Sequence, residues 1–460
     1  MESPFDIAAD LDTPVSAYLK LAAFEPKFLL ESVESGERLA RYSFIGLGAS
    51  LTVQLYADRL VIDGVEQPRP EGPDAWQTMM RDALARCPEL APSIDEIPFN
   101  GGLVGATGYD VVRFFERLPT MPTRHPEQPQ GAYVAPRSLL VFDHLTRRVA
   151  VLHAGPESER QQLRRDVIAA LRGGIEPAGG GSLTPAEASI KRDDFMAAVD
   201  KAKDYIRAGD IYQIVLSVCF SGQSDLDPFQ VYRGLRLLNP SPYMYYFELD
   251  QLRVAGSSPE ALVQLDHGHA ALRPIAGTRP RGANGEEDLA LEAELLADPK
   301  ENAEHVMLVD LARNDLGRVA ASGSVHVKPY RRIERYSHVM HIVSGVQGEV
   351  AADKDAFDLF AATFPAGTLV GAPKVRAMEL IAELEPVARD LYGGTVGYFA
   401  KNGNMDQAIT IRTIVFNGDQ YSFQAGAGIV ADSHPDREHD EVLAKSAILR
   451  SALEIAEEGL

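Results

Sequence analysis

Two pairs of glutamates have the spacing of an acidic site. Glu301 and Glu304 lie three residues apart in a segment with a helical pattern, and Glu438 and Glu441 repeat this spacing near the C-terminus. Residues three apart share one face of a helix. Two such faces opposed across a cleft would supply carboxylate oxygens, the ligands that Mg²⁺ prefers. The same spacing also suits an ordinary solvent-exposed helix face, so spacing alone leaves both interpretations open.

A glycine-rich motif precedes the second pair. Gly426-Ala427-Gly428 opens a G-x-G-x-x-A match that follows a strand-like segment. A dinucleotide fingerprint needs a helix to begin within the motif. Here Asp432 to Pro435 intervenes before the next helical segment. We therefore expect a glycine turn whose bare N–H groups meet an anion rather than a nucleotide loop.

Composition excludes several classes of partner. The 460 residues carry 66 Asp and Glu against 45 Lys and Arg, a net charge of −21. Such a surface repels phosphate backbones and anionic lipid, so neither a nucleic-acid nor a membrane role is expected. No 18-residue apolar run and no basic, apolar leader is present, so neither a membrane span nor a secretory signal is expected. Cys87 and Cys219 cannot build a disulfide framework, which predicts a reducing cytoplasm.

The periodicity predicts an α+β protein with mostly antiparallel sheets, because strand and helix patterns do not alternate strictly. Strands are predicted at 51–55, 59–62, 138–143, 148–153, 212–217, 253–255, 261–265, 393–400, 407–416 and 420–425. Helices are predicted from an N-cap at Asp193 to Gly209 and at 73–87, 157–172, 286–297, 299–315, 354–363, 373–384 and 437–457. The Gly/Pro/Ser-dense stretch 172–187 predicts a boundary between regions 1–185 and 186–460, with a long surface loop as the alternative.

Several long motifs in a fixed order carry a resemblance to a known family. They are Pro274 to Arg279, Asp298 to Arg318, Tyr392 to Tyr398, Ala408 to Thr413 and Ala425 to Lys445. Over nearly the whole chain the sequence resembles the chorismate-utilising enzymes, and within them the large subunits of anthranilate synthases. The resemblance implies antiparallel β-sheets forming a sandwich with helices outside and the two sequence regions intertwined. It implies a Mg²⁺-dependent lyase that makes anthranilate and pyruvate from chorismate and ammonia, the first step of tryptophan biosynthesis.

The resemblance also implies roles for individual residues. Glu304 and Glu441 would be the main Mg²⁺-side carboxylates, with Glu301 and Glu438 in support. His341 would assist departure of the hydroxyl, and Glu260 matches the acidic partner at the reacting edge. The residues implied to line the substrate are Gly277, Thr278, Thr368, Tyr392, Arg412, Gly426, Ala427, Gly428 and Lys445. Among these, Tyr392 and Arg412 would clamp the enolpyruvyl carboxylate.

Two positions distinguish the branches of the family. Members that add water carry a lysine base where this chain has Gln213, and aminodeoxychorismate synthases carry a nucleophilic lysine where it has Ala276. Neither side chain here can act in that way, which favours direct amination at C2 by ammonia. An aminodeoxyisochorismate synthase, an aminodeoxychorismate synthase and a non-catalytic homologue that binds chorismate or tryptophan remain as alternatives. The family's Gln-Arg pair is replaced by Val218-Cys219, so whatever that strand end contacts differs here.

The N-terminal region carries segments that resemble a tryptophan-feedback site. The residues implied to form it are Glu31, Ser32, Arg41, Pro242, Tyr243 and Met244. Glu31 would meet an amino group and Met244 would pack against an indole. No cysteine-centred glutaminase motif is found, so ammonia is expected from solution or from a separate glutamine amidotransferase subunit in a hetero-oligomer.

Overall fold

The computed structural model describes residues 4–32, 41–72, 74–123, 125–175, 179–335 and 339–460. Within these ranges the helices are α1 (Pro14–Lys20), α2 (Ala75–Arg86), α3 (Glu157–Leu171), α4 (Arg192–Ala208), α5 (Pro228–Leu238), α6 (Gly285–Ala297), α7 (Pro299–Gly317), α8 (Ala356–Thr363), α9 (Lys374–Leu384) and α10 (Pro435–Glu458). Short 3₁₀ turns lie at Ala22–Phe24, Tyr109–Phe114 and Gly367–Leu369. None of the helices in the described ranges combines the length and the apolar character needed to span a bilayer.

The strands are β1 (Ile7–Ala8), β2 (Pro26–Glu31), β3 (Tyr42–Leu55), β4 (Arg59–Ile62), β5 (Val65–Pro68), β6 (Gly102–Thr107), β7 (Gly131–Asp143), β8 (Arg148–His153), β9 (Glu187–Ala188), β10 (Gln213–Gln223), β11 (Tyr243–Leu249), β12 (Leu252–Ser258), β13 (Ala261–Asp266), β14 (His269–Leu272), β15 (Ile275–Pro280), β16 (His326–Val327), β17 (Arg332–Arg335), β18 (Val339–Val343), β19 (Val346–Glu349), β20 (Gly371–Ala372), β21 (Thr395–Ala400), β22 (Met405–Ile409), β23 (Thr413–Asn417) and β24 (Gln420–Ile429).

Two long strands join two layers of sheet. β3 and β7 pair along their whole length. One end of β7 then pairs with β8 and the other end with β6, so the sheet divides. From β3 the first layer continues through β2, β11, β12, β23, β24 and β10. From β6 the second layer continues through β21, β22, β13, β14 and β19.

Apolar side chains from both layers meet in one core. Phe28 and Phe247 of the first layer pack in the same cluster as Val104 and Tyr398 of the second. Helices cover the outer faces, where α10 packs on α5 and β24 and the Trp76 ring of α2 stacks on α8. The strand pairs between the named elements of the described chain are antiparallel. The predicted α+β sandwich with helices outside is therefore confirmed.

Strands from the two predicted regions are interleaved. β2 lies between β3 and β11, and β6 pairs with β21 so that Gly105 stands opposite Gly397. The boundary near residue 185 stays a prediction, and residues 176–178 of the predicted connection lie outside the described residues. A separate sheet of β17, β18 and β15 stands beside α6 and α7.

Two local predictions were wrong. The stretch 407–416 is two strands, because the chain turns before β23 and Arg412 takes a left-handed conformation with φ of 49°. α4 begins at Arg192 with Lys191 as its N-cap, so Asp193 lies in the first turn instead. A carboxylate in the first turn still interacts favourably with the helix dipole. The helix itself was predicted correctly because Phe195, Val199 and Ala202 recur at helical spacing and are its buried residues. Gly209 ends α4 in the left-handed conformation as expected.

Candidate active site

Local capping signals determine where the first glutamate pair lies. Asp298 accepts hydrogen bonds from the backbone N–H groups of Lys300 and Glu301, at 2.9 and 3.2 Å. Pro299 occupies the first helical position, where its missing N–H costs nothing. Glu301 therefore lies in the first turn of α7 and Glu304 one turn further along the same face.

The second glutamate pair lies close enough to the first for their charges to interact. Glu438 and Glu441 occupy the first turns of α10. Burial, followed by the charge of Glu301, raises the pKa of Glu304, and the charge of Glu441 on the opposite helix raises it further. Burial and Glu441 likewise raise the pKa of Glu438. The structure thus brings the four predicted carboxylates into one field of negative charge.

The donor set of these glutamates suits a hard cation. It consists of carboxylate oxygens, and their mutual repulsion is what a divalent ion would relieve. Within the described ranges, however, no three Asp, Glu, His or Cys side chains converge as a ready-made metal set. Glu441 is instead paired with Lys445, with 2.7 Å between Oε1 and Nζ. The residues fit Mg²⁺ by chemistry and charge, whereas the ligand shell itself is not assembled in this conformation.

The glycine backbone of β24 (the glycine wall, residues 426–428) lies next to these glutamates, with the Gln213 side chain between Gly428 and Glu304. β24 pairs with β10 so that Gly428 stands opposite Val215 and Gly426 opposite Ser217. A Cβ on Gly428 would lie 2.9 Å from the Gln213 amide nitrogen. Gly426 to Gly428 lie in the extended strand β24 and pair with β10, so the predicted glycine turn is wrong: these bare N–H groups belong to the end of a strand. No helix begins within the motif, because α10 starts only at Pro435.

Tyr392 closes the same wall. A Cβ on Gly426 would lie 2.7 Å from the Tyr392 hydroxyl, so that hydroxyl stands directly against the glycine backbone. Lys445 donates to the Gly426 carbonyl at 3.1 Å, and Gln213 donates to Glu304 Oε1 at 3.5 Å. These two contacts connect the glycine wall with the carboxylate helices.

Arg412 places a partly buried guanidinium between two strands. Its left-handed backbone lies in the turn between β22 and β23, and burial lowers its pKa. Among the described residues it forms no ion pair, and its longest-range polar contact is a 3.5 Å hydrogen bond to the Asn239 side-chain oxygen. A partly buried arginine that is not paired with a carboxylate suits a bidentate anionic ligand.

His341 and Thr278 face each other across β15 and β18. His341 Nδ1 lies 3.0 Å from the Gly277 carbonyl oxygen and 3.1 Å from the Thr278 hydroxyl. Because a carbonyl only accepts, the neutral ring donates from Nδ1 and leaves Nε2 as an acceptor. Burial lowers the pKa of His341 and nearby Arg412 lowers it further, which places these two residues in one neighbourhood.

Glu260 can hold a proton near neutral pH. The Thr368 hydroxyl donates to Glu260 Oε1 at 2.9 Å. Burial raises the pKa of Glu260 to about 7, against smaller lowering effects from Thr368 and Lys445. A carboxyl with a pKa near the working pH is suited to general acid–base chemistry.

The predicted feedback residues lie where β2 ends and where β3 and β11 begin. Glu31 on β2 stands opposite Met244 on β11, as the two walls of one pocket require. Glu31 is buried and already accepts hydrogen bonds from the Tyr232 hydroxyl at 2.5 Å and from Arg236 Nε at 3.1 Å. A ligand amino group would therefore compete with Arg236 for this carboxylate. Residues 33–40, next to Ser32, lie outside the described residues.

The remaining feedback residues also have partners. Arg41 forms an ion pair with Asp143, with 3.0 Å between Nη2 and Oδ2. The Tyr243 hydroxyl accepts from Gln264 at 2.8 Å, and Pro242 directly precedes β11. Arg41 thus directly precedes β3, where its guanidinium is paired with Asp143 and is not a free cation.

Several residues at this site have no role predicted from the sequence. Arg279 contacts both Asp298 and Glu301, at 2.9 and 3.5 Å. Its place at the end of the Pro274 to Arg279 motif was the signal that could have identified it. Arg389 and Glu385 carried no such signal, because only the folded chain shows that they are buried together.

Comparison with known proteins identifies the family of the chain. A family model described as chorismate binding enzyme matches residues 25–451. Anthranilate synthase component 1 of Pseudomonas aeruginosa is 46% identical over 474 residues, covering 99% of this chain and 96% of that one. The same component of Thermus thermophilus is 46% identical, covering 98% and 97%.

Solved structures give the same result. Anthranilate synthase component I from Streptococcus pneumoniae superposes with a TM-score of 0.80 at 33% identity, covering 96% of this chain and 99% of that one. A menaquinone-specific isochorismate synthase from Escherichia coli shares the fold alone, with a TM-score of 0.69 at 20% identity over 95% and 91%. Because the family model and the relatives span nearly its whole length, the chain belongs to the chorismate-binding enzyme family.

Proposed function

We propose that this chain is the synthase component of an anthranilate synthase, which converts chorismate and ammonia to anthranilate, pyruvate and water. The observation that carries the proposal is the partly buried Arg412, which has no ion pair in the described part of the chain and lies near His341. The relatives at 46% identity are named for this activity.

Chorismate is a dianion, and the site offers two different receptors for its carboxylates. Arg412 and the Tyr392 hydroxyl would take the enolpyruvyl carboxylate through charge and hydrogen bonding. The backbone N–H groups at Gly426, Ala427 and Gly428 would assist in holding the substrate on the glycine wall. A chain of net charge −21 needs such local receptors, because its overall field repels the substrate.

The ring carboxylate would face the glutamate helices, which by themselves repel it. Glu304 and Glu441, supported by Glu301 and Glu438, would hold Mg²⁺ there. A bound Mg²⁺ supplies the positive charge that makes this side of the site attractive to a carboxylate. Lys445 would have to give up its contact with Glu441 or share it.

Ammonia is the nucleophile that the remaining residues accommodate. The Gln213 amide cannot deprotonate water, and the Ala276 methyl group cannot form a covalent intermediate. Ammonia needs neither, so addition at C2 with loss of the C4 hydroxyl fits this pair. Glu260, with a pKa of about 7, is able to take a proton from ammonium at neutral pH.

Departure of the hydroxyl requires a proton. His341 is held by the Gly277 carbonyl with its ring fixed in orientation. Burial and Arg412 keep it neutral in the free chain, whereas an arriving carboxylate would raise its pKa and favour the charged, proton-donating form. Elimination of pyruvate then removes the C2 proton and leaves the aromatic ring.

Two further elements of the proposal concern partners. Ammonia would come from a separate glutamine amidotransferase subunit in the cytoplasm, in line with the name component 1 of the relatives. Tryptophan would bind near Glu31 and Met244 and inhibit the reaction. The Asn239 contact to Arg412 supports this, because it connects the segment before β11 with the substrate clamp.

Replacement of Arg412 tests the proposal most simply. Arg412→Gln should weaken chorismate binding by at least about 30-fold, since loss of one partner of a buried charge pair costs about 2 kcal/mol or more. Arg313→Gln is the matched control, because Arg313 forms an exposed ion pair with Asp310 on α7. Wild-type chorismate affinity in Arg412→Gln, measured by calorimetry with Mg²⁺, would contradict the proposed clamp.

A further inference from the structure

The Arg389 guanidinium lies behind the residues that are proposed to bind the substrate. Arg389 is fully buried and donates from Nε to Glu385 Oε2 at 2.9 Å and from Nη2 to Glu385 Oε1 at 2.6 Å. No step of the proposed chemistry uses this pair. A buried pair is retained at the cost of desolvating both charges, so its other contacts indicate what it does.

The remaining donors of Arg389 reach two different segments. Nη1 donates to the Leu369 carbonyl at 2.6 Å, in the 3₁₀ turn that also carries Thr368. Nη2 donates to the Val215 carbonyl at 2.8 Å, on the strand that begins with Gln213. The fork therefore fixes the separation between the Thr368 turn and β10.

Glu385 extends the network along β10. Its Oε1 accepts from the Ser217 N–H at 2.9 Å and from the Ser217 hydroxyl at 2.7 Å. Gln424 on β24 donates to the same hydroxyl at 2.8 Å. The β10 residues held in this way, Val215 and Ser217, are those that stand opposite Gly428 and Gly426.

The hydrogen-bond network of Arg389 also reaches Tyr392. Its backbone N–H donates to the Arg389 carbonyl at 2.9 Å, and its ring centre lies 5.6 Å from the guanidinium carbon. The Tyr109 ring lies 5.0 Å from that carbon. The guanidinium is thus enclosed by two rings and tied to the backbone of Tyr392.

We propose that Arg389, through its pair with Glu385, is the positioning residue for the carboxylate-binding wall, setting the glycine cradle, Tyr392 and the Thr368 turn in one geometry. It acts through these groups and does not touch substrate. Lysine at this position would keep the charge next to Glu385 but could not reach Leu369 and Val215 together, because it lacks the fork. The inference rests on the proposed function for its substrate, chorismate.

The test is Arg389→Lys in the full chain, with chorismate and ammonium varied separately in the presence of Mg²⁺. We expect the KM for chorismate to rise tenfold or more, while the KM for ammonium stays within twofold of wild type. Arg376→Lys is the matched control, because Arg376 pairs with Asp210 and Glu379 at the surface. It should leave both constants unchanged.

A merely structural role gives a different result. In that case Arg389→Lys lowers the midpoint temperature of unfolding but leaves both KM values equal to those of the wild type, when both are assayed well below that temperature. This result would overturn the inference. An equal rise in both constants would also overturn it, since general loosening is not positioning. If Arg389→Lys does not fold, Ser217→Ala replaces it, because that change removes one donor to Glu385 and leaves the ion pair intact. A several-fold rise in the chorismate KM of Ser217→Ala supports the inference, and wild-type constants refute it.

Failure of the proposed function can be distinguished from failure of the positioning role. A wild-type chain that forms no anthranilate would refute the proposed reaction. Calorimetry with chorismate and Mg²⁺, without ammonium, then still compares Arg389→Lys with wild type. A tenfold loss of affinity supports the positioning role, and equal affinity refutes it.

Discussion

Replacing Glu260 by glutamine should stabilise the protein at alkaline pH and leave it nearly unchanged at acidic pH. Glutamine keeps the acceptor for the Thr368 hydroxyl but cannot ionise. Burial raises the pKa of Glu260 from 4.5 to about 7. A carboxyl whose folded-state pKa is raised contributes most below its unfolded pKa, and that contribution is lost as pH rises through the folded-state pKa.

The magnitude follows from the size of the shift. From 4.5 to about 7, at about 1.36 kcal/mol per pKa unit, ionisation costs the folded state about 3 kcal/mol at pH 8. At pH 5 the cost is below about 1 kcal/mol, because that pH is only slightly above the unfolded-state pKa of 4.5 and the unfolded chain gains little from losing the proton. Solvent reaches part of the residue and screens its charge, so about 3 kcal/mol is an upper bound.

Urea unfolding of wild type and Glu260→Gln, from pH 5 to 8.5 without substrate, measures this difference. The advantage of the variant should grow with pH, with its midpoint near pH 5 to 7. Glu454→Gln is the control, because Glu454 is an exposed residue of α10 and its replacement should give a flat difference. A difference for Glu260→Gln that stays flat, or that shrinks with rising pH, would refute the assignment of a buried, proton-holding carboxyl.

Three other results are expected. Gly428→Ala should weaken chorismate binding, measured by calorimetry, by about 1 to 3 kcal/mol, because the new Cβ would lie 2.9 Å from the Gln213 amide nitrogen. Unchanged binding would show that the glycine backbone is not part of the substrate site. Turnover should stop in EDTA and return with Mg²⁺, and Glu304→Ala should be inactive with an unchanged circular dichroism spectrum; full turnover with metal verified absent ends the metal proposal. Ser32→Phe should relieve tryptophan inhibition without loss of basal activity, and Met244→Ala should do so with a stability loss of about 2 to 5 kcal/mol, because Met244 is 1% exposed. No tryptophan binding to wild type at millimolar concentration would remove the feedback site.

The elements that carry the glutamates could be predicted from sequence because their signals are local. Asp298 followed by Pro299 defines the start of α7, and the helical period then fixes Glu301 and Glu304 on one face. The alternating strands and the antiparallel sandwich were also predictable. The glutamate spacing alone did not separate a metal site from a solvent-exposed face, and the roles of individual residues came from the family resemblance.

Long-range contacts could not be predicted in this way. β2 and β11 are about two hundred residues apart in sequence, and no local pattern specifies that Glu31 stands opposite Met244. The pairing of Glu31 with Arg236 depends on that packing as well. The turn at Arg412 was missed because its flanking residues, predicted as one strand over 407–416, alternate as a strand does, while the positive φ is imposed by the tertiary structure.

The most direct test of the proposed function is the product formed from chorismate and ¹⁵N-labelled ammonium by the purified chain with Mg²⁺. We expect ¹⁵N-anthranilate and pyruvate in equal amounts, followed by mass spectrometry and anthranilate fluorescence. An aminated product that keeps the enolpyruvyl group would indicate an aminodeoxyisochorismate synthase or an aminodeoxychorismate synthase. Isochorismate would contradict the reading of Gln213, and the absence of any product, with chorismate bound, would indicate a catalytically silent homologue.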